Sequence, residues 1–171
     1  AFFFSERTGE AYKGYKKGRY WQMRNRDLET IRQRVKGVSY LSPMAMSWGG
    51  QNNVVRGQKA GTDNVRGVHS EYFQIETQHV LEGRLLNEID VLEKRKVCVI
   101  GSIVREVLFT PAEDPIGEYI RVNGIYYQVV GVVKPKPRVQ IGGRTEESIM
   151  TPFTTLQQVA NQGDKFWFLC A

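Results

Sequence analysis

Acid–base chemistry in this chain would have to be built on two imidazoles, His69 and His79. Ser70 as nucleophile, His79 as base and Glu76 as the orienting carboxylate would make a hydrolytic triad. No GxSxG elbow or other positioning motif frames Ser70, so the plainer reading of both imidazoles is surface or hydrogen-bonding groups. Two acidic pairs, Glu88 with Asp90 and Glu113 with Asp114, fall in turns. Calcium would need more oxygen ligands at loop spacing, and the EF-hand pattern is absent. Gly101 and Gly142-Gly143 form no phosphate loop: there is no GxxxxGK[ST], and no GxGxxG follows a strand. Cys98 and Cys170 each sit inside an apolar β-like run, without CxxC or Cys/His zinc spacing. They read as small buried hydrophobes, with a disulfide left open for an oxidising compartment. The sequence therefore offers no catalytic, cofactor-binding or metal-ligating set.

The elements around these residues are those of a folded protein. Apolar residues make up 41% and aromatics 11% of 171 residues, enough for one good core or two small lobes. Phe2-Phe3-Phe4 and the longer apolar runs are far short of a membrane helix, which leaves room for a soluble part of a membrane protein. The formal charge is +6 and the pI about 9.4, an excess that suits nucleic acid, an anionic membrane surface or simple solubility. Part of that charge lies in a polar, basic and aromatic stretch from Ser5 to Trp21, read as an extended surface loop. Interleaved cations and rings could contact phosphates and stack on bases. No RNP-type or helix-turn-helix pattern accompanies them, and no nucleic acid is expected as partner.

Asn25 or Asp27 is positioned to cap a helix over Leu28 to Val35, ended by Gly37. Val38 to Met46 reads as a strand that Pro43 places at an edge or a bend. Ser47 to Asn53 is a loop, and Val54–Gly57 with Asn64–Val68 reads as a hairpin around Lys59–Thr62. A helical turn at His69–Phe73 follows, and Val80–Leu86 leads into an acidic turn near Glu88 and Asp90. Val97–Ile100 is a strand buried on both faces. Ile103, Val104, Val107 and Leu108 recur at helical spacing, stopped by Pro115–Gly117. Asn123-Gly124 between two β-rich runs predicts a type I′ hairpin. Lys134 to Thr145 is a long Pro/Gly-rich loop, Ser148–Met150 a short strand, Pro152 to Val159 a helix, and Lys165–Cys170 a last strand. This mixed order favours α+β with two lobes over a doubly wound sheet.

One ordered set of phrases goes further: Gly67-Val68 with Tyr72-Phe73, Glu82-Gly83-Arg84-Leu85-Leu86 ahead of Asp90, and Lys96 to Gly101. Leu108-Phe109, Pro115-Ile116-Gly117, Tyr127 to Val132 and Thr151-Pro152 complete it. In this order the phrases resemble the periplasmic core domain of MacB/FtsX-type ABC-transporter permeases, from about Asn25 onward. Tyr12-Lys13-Gly14 and Gly18-Arg19 are similar to a Bacteroidetes-like subset.

The resemblance implies a Porter-like α/β lobe built from residues 25–78 and 147–171, with a mostly β, Sabre-like lobe inserted over 79–146. Residues 1–24 would be an extended aromatic and basic segment. The family pattern continues past the strand at Phe166 to Leu169, which implies a lobe cut short after Ala171 with an open sheet edge. The resemblance further implies an extracytoplasmic segment of an inner-membrane protein that couples ATP-driven membrane-helix motion to export or to periplasmic partners. Its partners would be a cytoplasmic ABC ATPase subunit or domain, a second permease and a periplasmic adaptor or lipoprotein. The chain would carry no active site or cofactor of its own. The competing reading is a standalone basic module that binds an anionic polymer or envelope partner through Lys13 to Arg26.

Overall fold

The computed structural model describes residues 2–47, 52–61, 63–136 and 143–171. The chain opens with β1 (Phe2–Phe4) and β2 (Met23–Arg24), then α1 (Asn25–Arg34) and β3 (Ser42–Met46). Next come β4 (Val54–Arg56), β5 (Lys59–Gly61), β6 (Asn64–Val68), α2 (Tyr72–Ile75) and β7 (Gln78–Gly83). The middle holds α3 (Glu88–Leu92), β8 (Val97–Gly101), α4 (Ser102–Leu108), β9 (Tyr119–Val122) and β10 (Ile125–Pro135). A 3-10 turn (Thr145–Glu147), β11 (Ser148–Pro152), α5 (Phe153–Val159), β12 (Lys165–Phe166) and β13 (Phe168–Cys170) complete it.

One mixed sheet organises these elements in the order β1-β13-β3-β6-β11-β8-β10-β9-β4-β5, with β7 added to β10. β8 runs parallel to β10, and β11 parallel to β6. Apolar cover lies on both faces. Cys98, Ile100, Ala45 and Ile149 point into one core with Phe153, Leu156 and Tyr127. Their neighbours Val97, Val99, Met44 and Met150 point into the other, with Tyr72, Phe73 and Cys170. All five residues of β8 are buried, as a central strand with both faces covered requires. The α+β expectation thus holds as a large mixed sheet with few helices.

Several local expectations hold with shifted limits, and others are corrected. Asn123 and Gly124 have φ of 49° and 85°, so the β9–β10 turn has the positive φ pair of type I′. The α1 N-cap is Arg24, and Asp27 serves from the third helical position by accepting the Arg24 N–H at 2.8 Å. α4 ends at Leu108, well before Pro115, where Phe109 turns extended. Of Val38 to Met46, only β3 is a strand, and Pro43 is not on an edge: β3 lies between β13 and β6. Pairing of β3 with β6 begins at Met44, so the missing Pro43 N–H falls outside that ladder.

The Val54–Gly57/Asn64–Val68 hairpin does not form. β4 turns directly into β5, while β6 joins β3 and β11 in the middle of the sheet. The difference is burial: Val65 to Val68 are all buried, whereas in β4 only Val54 is. Lys165–Cys170 is split at Trp167 into β12, which pairs β2, and β13. β13 is no open edge, because β1 covers it (Phe2↔Cys170, Phe4↔Phe168). Most of the Ser47–Asn53 loop, Thr62, residues 137–142 of the Pro/Gly-rich loop and Gly142 lie outside the described residues.

Candidate functional site

Glu76 is needed elsewhere, and the Ser70–His79–Glu76 triad does not assemble. Ser70 lines a cleft of about 340 Å³ with His69, Glu71, Arg32 and Glu88. His79 is exposed on β7. Burial, with help from the Arg32 cation, lowers the His69 imidazole to about 4, so it is neutral at pH 7, its ring edge-on to Phe153 at 5.2 Å.

Glu76 instead closes a buried polar cluster centred on Arg66. Arg66, from the centre of β6, is fully buried. Its guanidinium reaches Glu76 Oε2 at 3.9 Å and donates to Tyr72 Oη at 3.1 Å. It also donates to Thr145 Oγ1 at 3.2 Å and Ser148 Oγ at 2.8 Å. Tyr72 and Thr145 in turn donate to the two oxygens of Glu76. Burial pushes the Tyr72 phenol far up, so it stays a donor at any physiological pH. The cluster ties together β6, α2 and the 3-10 turn leading into β11. It is a buried joint between elements. The signal that could have found it is an arginine inside the apolar β-like run Val65-Arg66-Gly67-Val68, which can be buried only with a carboxylate partner.

A second polar clamp lies where the recognition phrases meet. Arg84 donates to both oxygens of Asp90, at 2.6 and 3.2 Å, and Arg95 stands 3.6 Å away. Asp90 also accepts the Asn87 N–H at 3.0 Å, completing the N-terminal cap of α3. Burial alone would raise the Asp90 carboxyl, but the Arg84 and Asn87 hydrogen bonds outweigh it and hold the group below the usual range. The Arg84 backbone crosses Gly131 so closely that a Cβ there would overlap the Arg84 carbonyl oxygen. The Glu82-Gly83-Arg84 and Val130-Gly131-Val132 phrases are therefore one packed contact.

The remaining candidates are also structural. Glu113 accepts the Thr110 N–H and a hydrogen bond from Arg56 at 2.9 Å, which lower it to about 2. Asp114 accepts the Ile116 N–H at 2.9 Å in its own turn, and Glu88 stands in the first turn of α3. Gly101 lies where a Cβ would overlap the Thr145 and Glu146 carbonyls, so it packs the 3-10 turn against β8. Among the described residues no group of His, Cys, Asp and Glu could hold a metal ion. Cys98 and Cys170 are free, buried thiols on opposite faces of the sheet, so the disulfide left open does not form. Burial pushes Cys170 up to about 12 and Cys98 further. No helix among the described residues is long and apolar enough to cross a membrane.

Comparison with known proteins places this architecture. The chain is 33% identical over 137 residues to the macrolide export ATP-binding/permease protein MacB of Rhodopirellula baltica, covering 79% of this chain and 19% of the relative. It is 32% identical over 107 residues to the pyoverdine export ATP-binding/permease protein PvdT of Pseudomonas syringae, 63% of this chain and 16% of that one. The chain thus spans about a fifth of the length of the curated relatives it matches. Its fold is that of the periplasmic region of MacB from Actinobacillus actinomycetemcomitans: TM-score 0.73 at 22% identity, over 99% of this chain and 72% of the other. The extracellular domain of the transporter YknZ from Gram-positive bacteria gives a TM-score of 0.74 at 18% identity, over 99% and 81%. A family model described as the MacB-like periplasmic core domain matches residues 3–169, nearly every residue of the sheet and both polar joints, and the chain belongs to that family.

Proposed function

We propose that this chain is the extracytoplasmic domain of an inner-membrane ABC-transporter permease, and that it passes ATP-driven motion of membrane helices to export or to periplasmic partners. The observation that carries this reading is the family match over residues 3–169. The relatives' names couple that domain to an ATP-binding part and to export. The structure suits such a role, because its buried carboxylates, Glu76 and Asp90, pair with arginines that tie separate elements together. The chain takes no catalytic part. The ATPase is a cytoplasmic subunit or domain, the permease works as a dimer, and an adaptor or lipoprotein is the periplasmic partner.

The lobes proposed are residues 25–78 with 147–171, and residues 79–146. One direct strand contact between them is the short β8–β11 ladder, Ile149↔Ile100 and Met150↔Val99. Thr145 reaches across to Arg66 beside it. The β4–β5 hairpin bridges as well, through Val54↔Val122 and Val55↔Arg121. Arg56 adds ion pairs to Glu113 and Glu118, Thr155 donates to the Arg95 carbonyl, and one core runs across both, so relative movement of the lobes would work against all of these contacts.

The test is the full-length protein in proteoliposomes with its ATPase. Locking the lobes with a cysteine pair across β4 and β9, Val55→Cys with Arg121→Cys, should abolish ATP-driven export and restore it on reduction. Export unaffected by the lock would remove mechanotransmission through this domain. A full reading frame without membrane helices on both sides would remove the permease assignment itself.

A further inference from the structure

The basic and aromatic segment before α1 is an arm, and we propose that it is a membrane-surface contact that takes the headgroups of anionic phospholipid. This rests on the permease reading above, which sets the domain beside a bilayer. The arm is a long hairpin-like excursion. Thr8 donates to the Arg19 carbonyl at 2.8 Å, and Trp21 to that of Glu6 at 3.2 Å. Tyr12 and Tyr15 exchange backbone hydrogen bonds around Lys13-Gly14, whose φ of 45° and 82° make a two-residue positive-φ turn at the tip. The base is anchored: Ser5 donates to the Trp167 carbonyl, and Tyr20 meets the Trp167 ring edge-on at 5.6 Å.

The arm presents what a bilayer surface recognises. From Ser5 to Arg26, seven lysines and arginines face two carboxylates, Glu6 and Glu10, so this short segment carries +5 of the chain's +6. Tyr12, Tyr15 and Tyr20 are each more than half exposed. Lys13 lies over the Tyr12 ring and Arg19 over Tyr15, at 5.3 and 4.0 Å. Among the described residues neither cation, nor Lys16 or Lys17, forms an ion pair with a carboxylate. Rings with a polar tip and cations on long stems are the side chains that partition to the headgroup level.

Beside the arm's base runs an apolar groove of about 360 Å³ lined by Phe3, Phe4, Trp21, Ile31, Val35 and Val38. A soluble polyanion has no use for that groove, and the cations stacked on Tyr12 and Tyr15 already cover one face of each ring a base would need. An interface with phosphates outside and acyl chains beneath uses all three features at once.

Flotation of the 171-residue chain with vesicles tests the proposal. Binding is expected to vesicles of phosphatidylcholine with phosphatidylglycerol, but not of phosphatidylcholine alone. It should be accompanied by a blue shift of tryptophan emission that Trp21→Phe diminishes. Each surface cation near an anionic membrane is worth about fivefold in partitioning, so Lys16→Gln with Lys17→Gln should weaken it on the order of 25-fold. Tyr12→Ser with Tyr15→Ser, confirmed folded by circular dichroism, should weaken it at unchanged charge. No binding, equal binding to both vesicles, or full binding by the tyrosine variant would overturn the proposal. Capture by heparin as tight as by vesicles, insensitive to the tyrosines, would overturn it in favour of a soluble polyanion. Any of these failures leaves the permease assignment standing, since that is decided by the flanking helices in the full gene.

Discussion

Replacing Arg66 by methionine should be among the most damaging single changes in the protein. The substitution keeps an unbranched apolar stem and removes the guanidinium, with its charge and donors, from a fully buried site. Lost with it are hydrogen bonds to Tyr72, Thr145 and Ser148 and the ion pair to Glu76, all in a region closed to water. Breaking one half of a buried pair costs about 3–5 kcal/mol, because the remaining charge keeps its desolvation penalty without its partner. Glu76 retains donors from Tyr72 and Thr145, which sets the expectation at the lower end, about 3 kcal/mol. With a urea slope of roughly 2 kcal/mol/M, the midpoint should fall by about 1.5 M.

Removing both partners should cost less than the two single removals added together. Arg66→Met with Glu76→Leu removes both charges, and replacing a buried pair by apolar groups is often neutral. The double variant still takes the Glu76 acceptor from the buried Tyr72 and Thr145 hydroxyls, so it should fall short of the wild type, yet it should lose clearly less than the two single losses added, a positive coupling in a double-mutant cycle. The assay is equilibrium urea unfolding followed by circular dichroism. A single variant within about 1 kcal/mol of wild type, or a double variant as unstable as the two singles added, would refute the idea that this cluster is a charge-balanced joint.

Other outcomes follow from different parts of the molecule. Gly131→Ala should cost about 3 kcal/mol in urea unfolding, because its Cβ meets the Arg84 backbone, which has no rotamer with which to move aside. Gly124→Val has open space around it, so only the positive φ resists, and a loss of about 1–2 kcal/mol in a thermal melt is expected. His69 has a folded pKa of about 4, below the unfolded value of about 6.5, so the unfolded chain binds the extra proton first. Its contribution is present above about pH 6.5 and is lost as pH falls towards 4; His69→Phe should remove that part of the pH dependence in urea titrations. Asp90 is also depressed, so its contribution should hold from neutral pH down to about pH 4 and disappear below that, a loss that Asp90→Asn would not show.

What could be read from the sequence was what is decided locally. Asn123-Gly124 dictates its own turn whatever surrounds it, and Val97 to Ile100 can be buried only as a central strand. Strand partnership was not legible in the same way. Val54-Val55-Arg56-Gly57 and Val65-Arg66-Gly67-Val68 are nearly the same string, yet one is peripheral and the other central. Their places are set by β9 and β11, which lie far away in sequence, and by β3, which pairs with β6 and not with the nearer β4. Arg66 shows the consequence: by composition it matches Arg56, which stays near the surface with Glu113 and Glu118, and only the completed sheet makes it a buried charge. The end of α4 was misplaced because Pro115 is a conspicuous stop, while the turn at Thr110–Glu113, held by the Glu113 carboxylate, acts first.

In the force-transmitting role proposed above, the two polar joints acquire a mechanical use. A domain that transmits force needs elements that move as units, and apolar contact alone is a poor way to hold them, since it is non-directional and tolerates sliding. Hydrogen-bonded ion pairs fix register, because a displacement of an ångström or two leaves a buried charge without its partners. Arg66–Glu76 and Arg84–Asp90 do this in different places, the first binding β6 and α2 to the turn before β11, the second binding the end of β7 to α3. Between them the β8–β11 ladder is only two residue pairs long. If the domain deforms when it works, stiffness concentrated at the joints directs the deformation to that short ladder. Hydrogen exchange under turnover should then rise at Val99, Ile100, Ile149 and Met150 while Arg66 and Asp90 stay protected; the opposite pattern would place the flexible region within the joints and undo the argument.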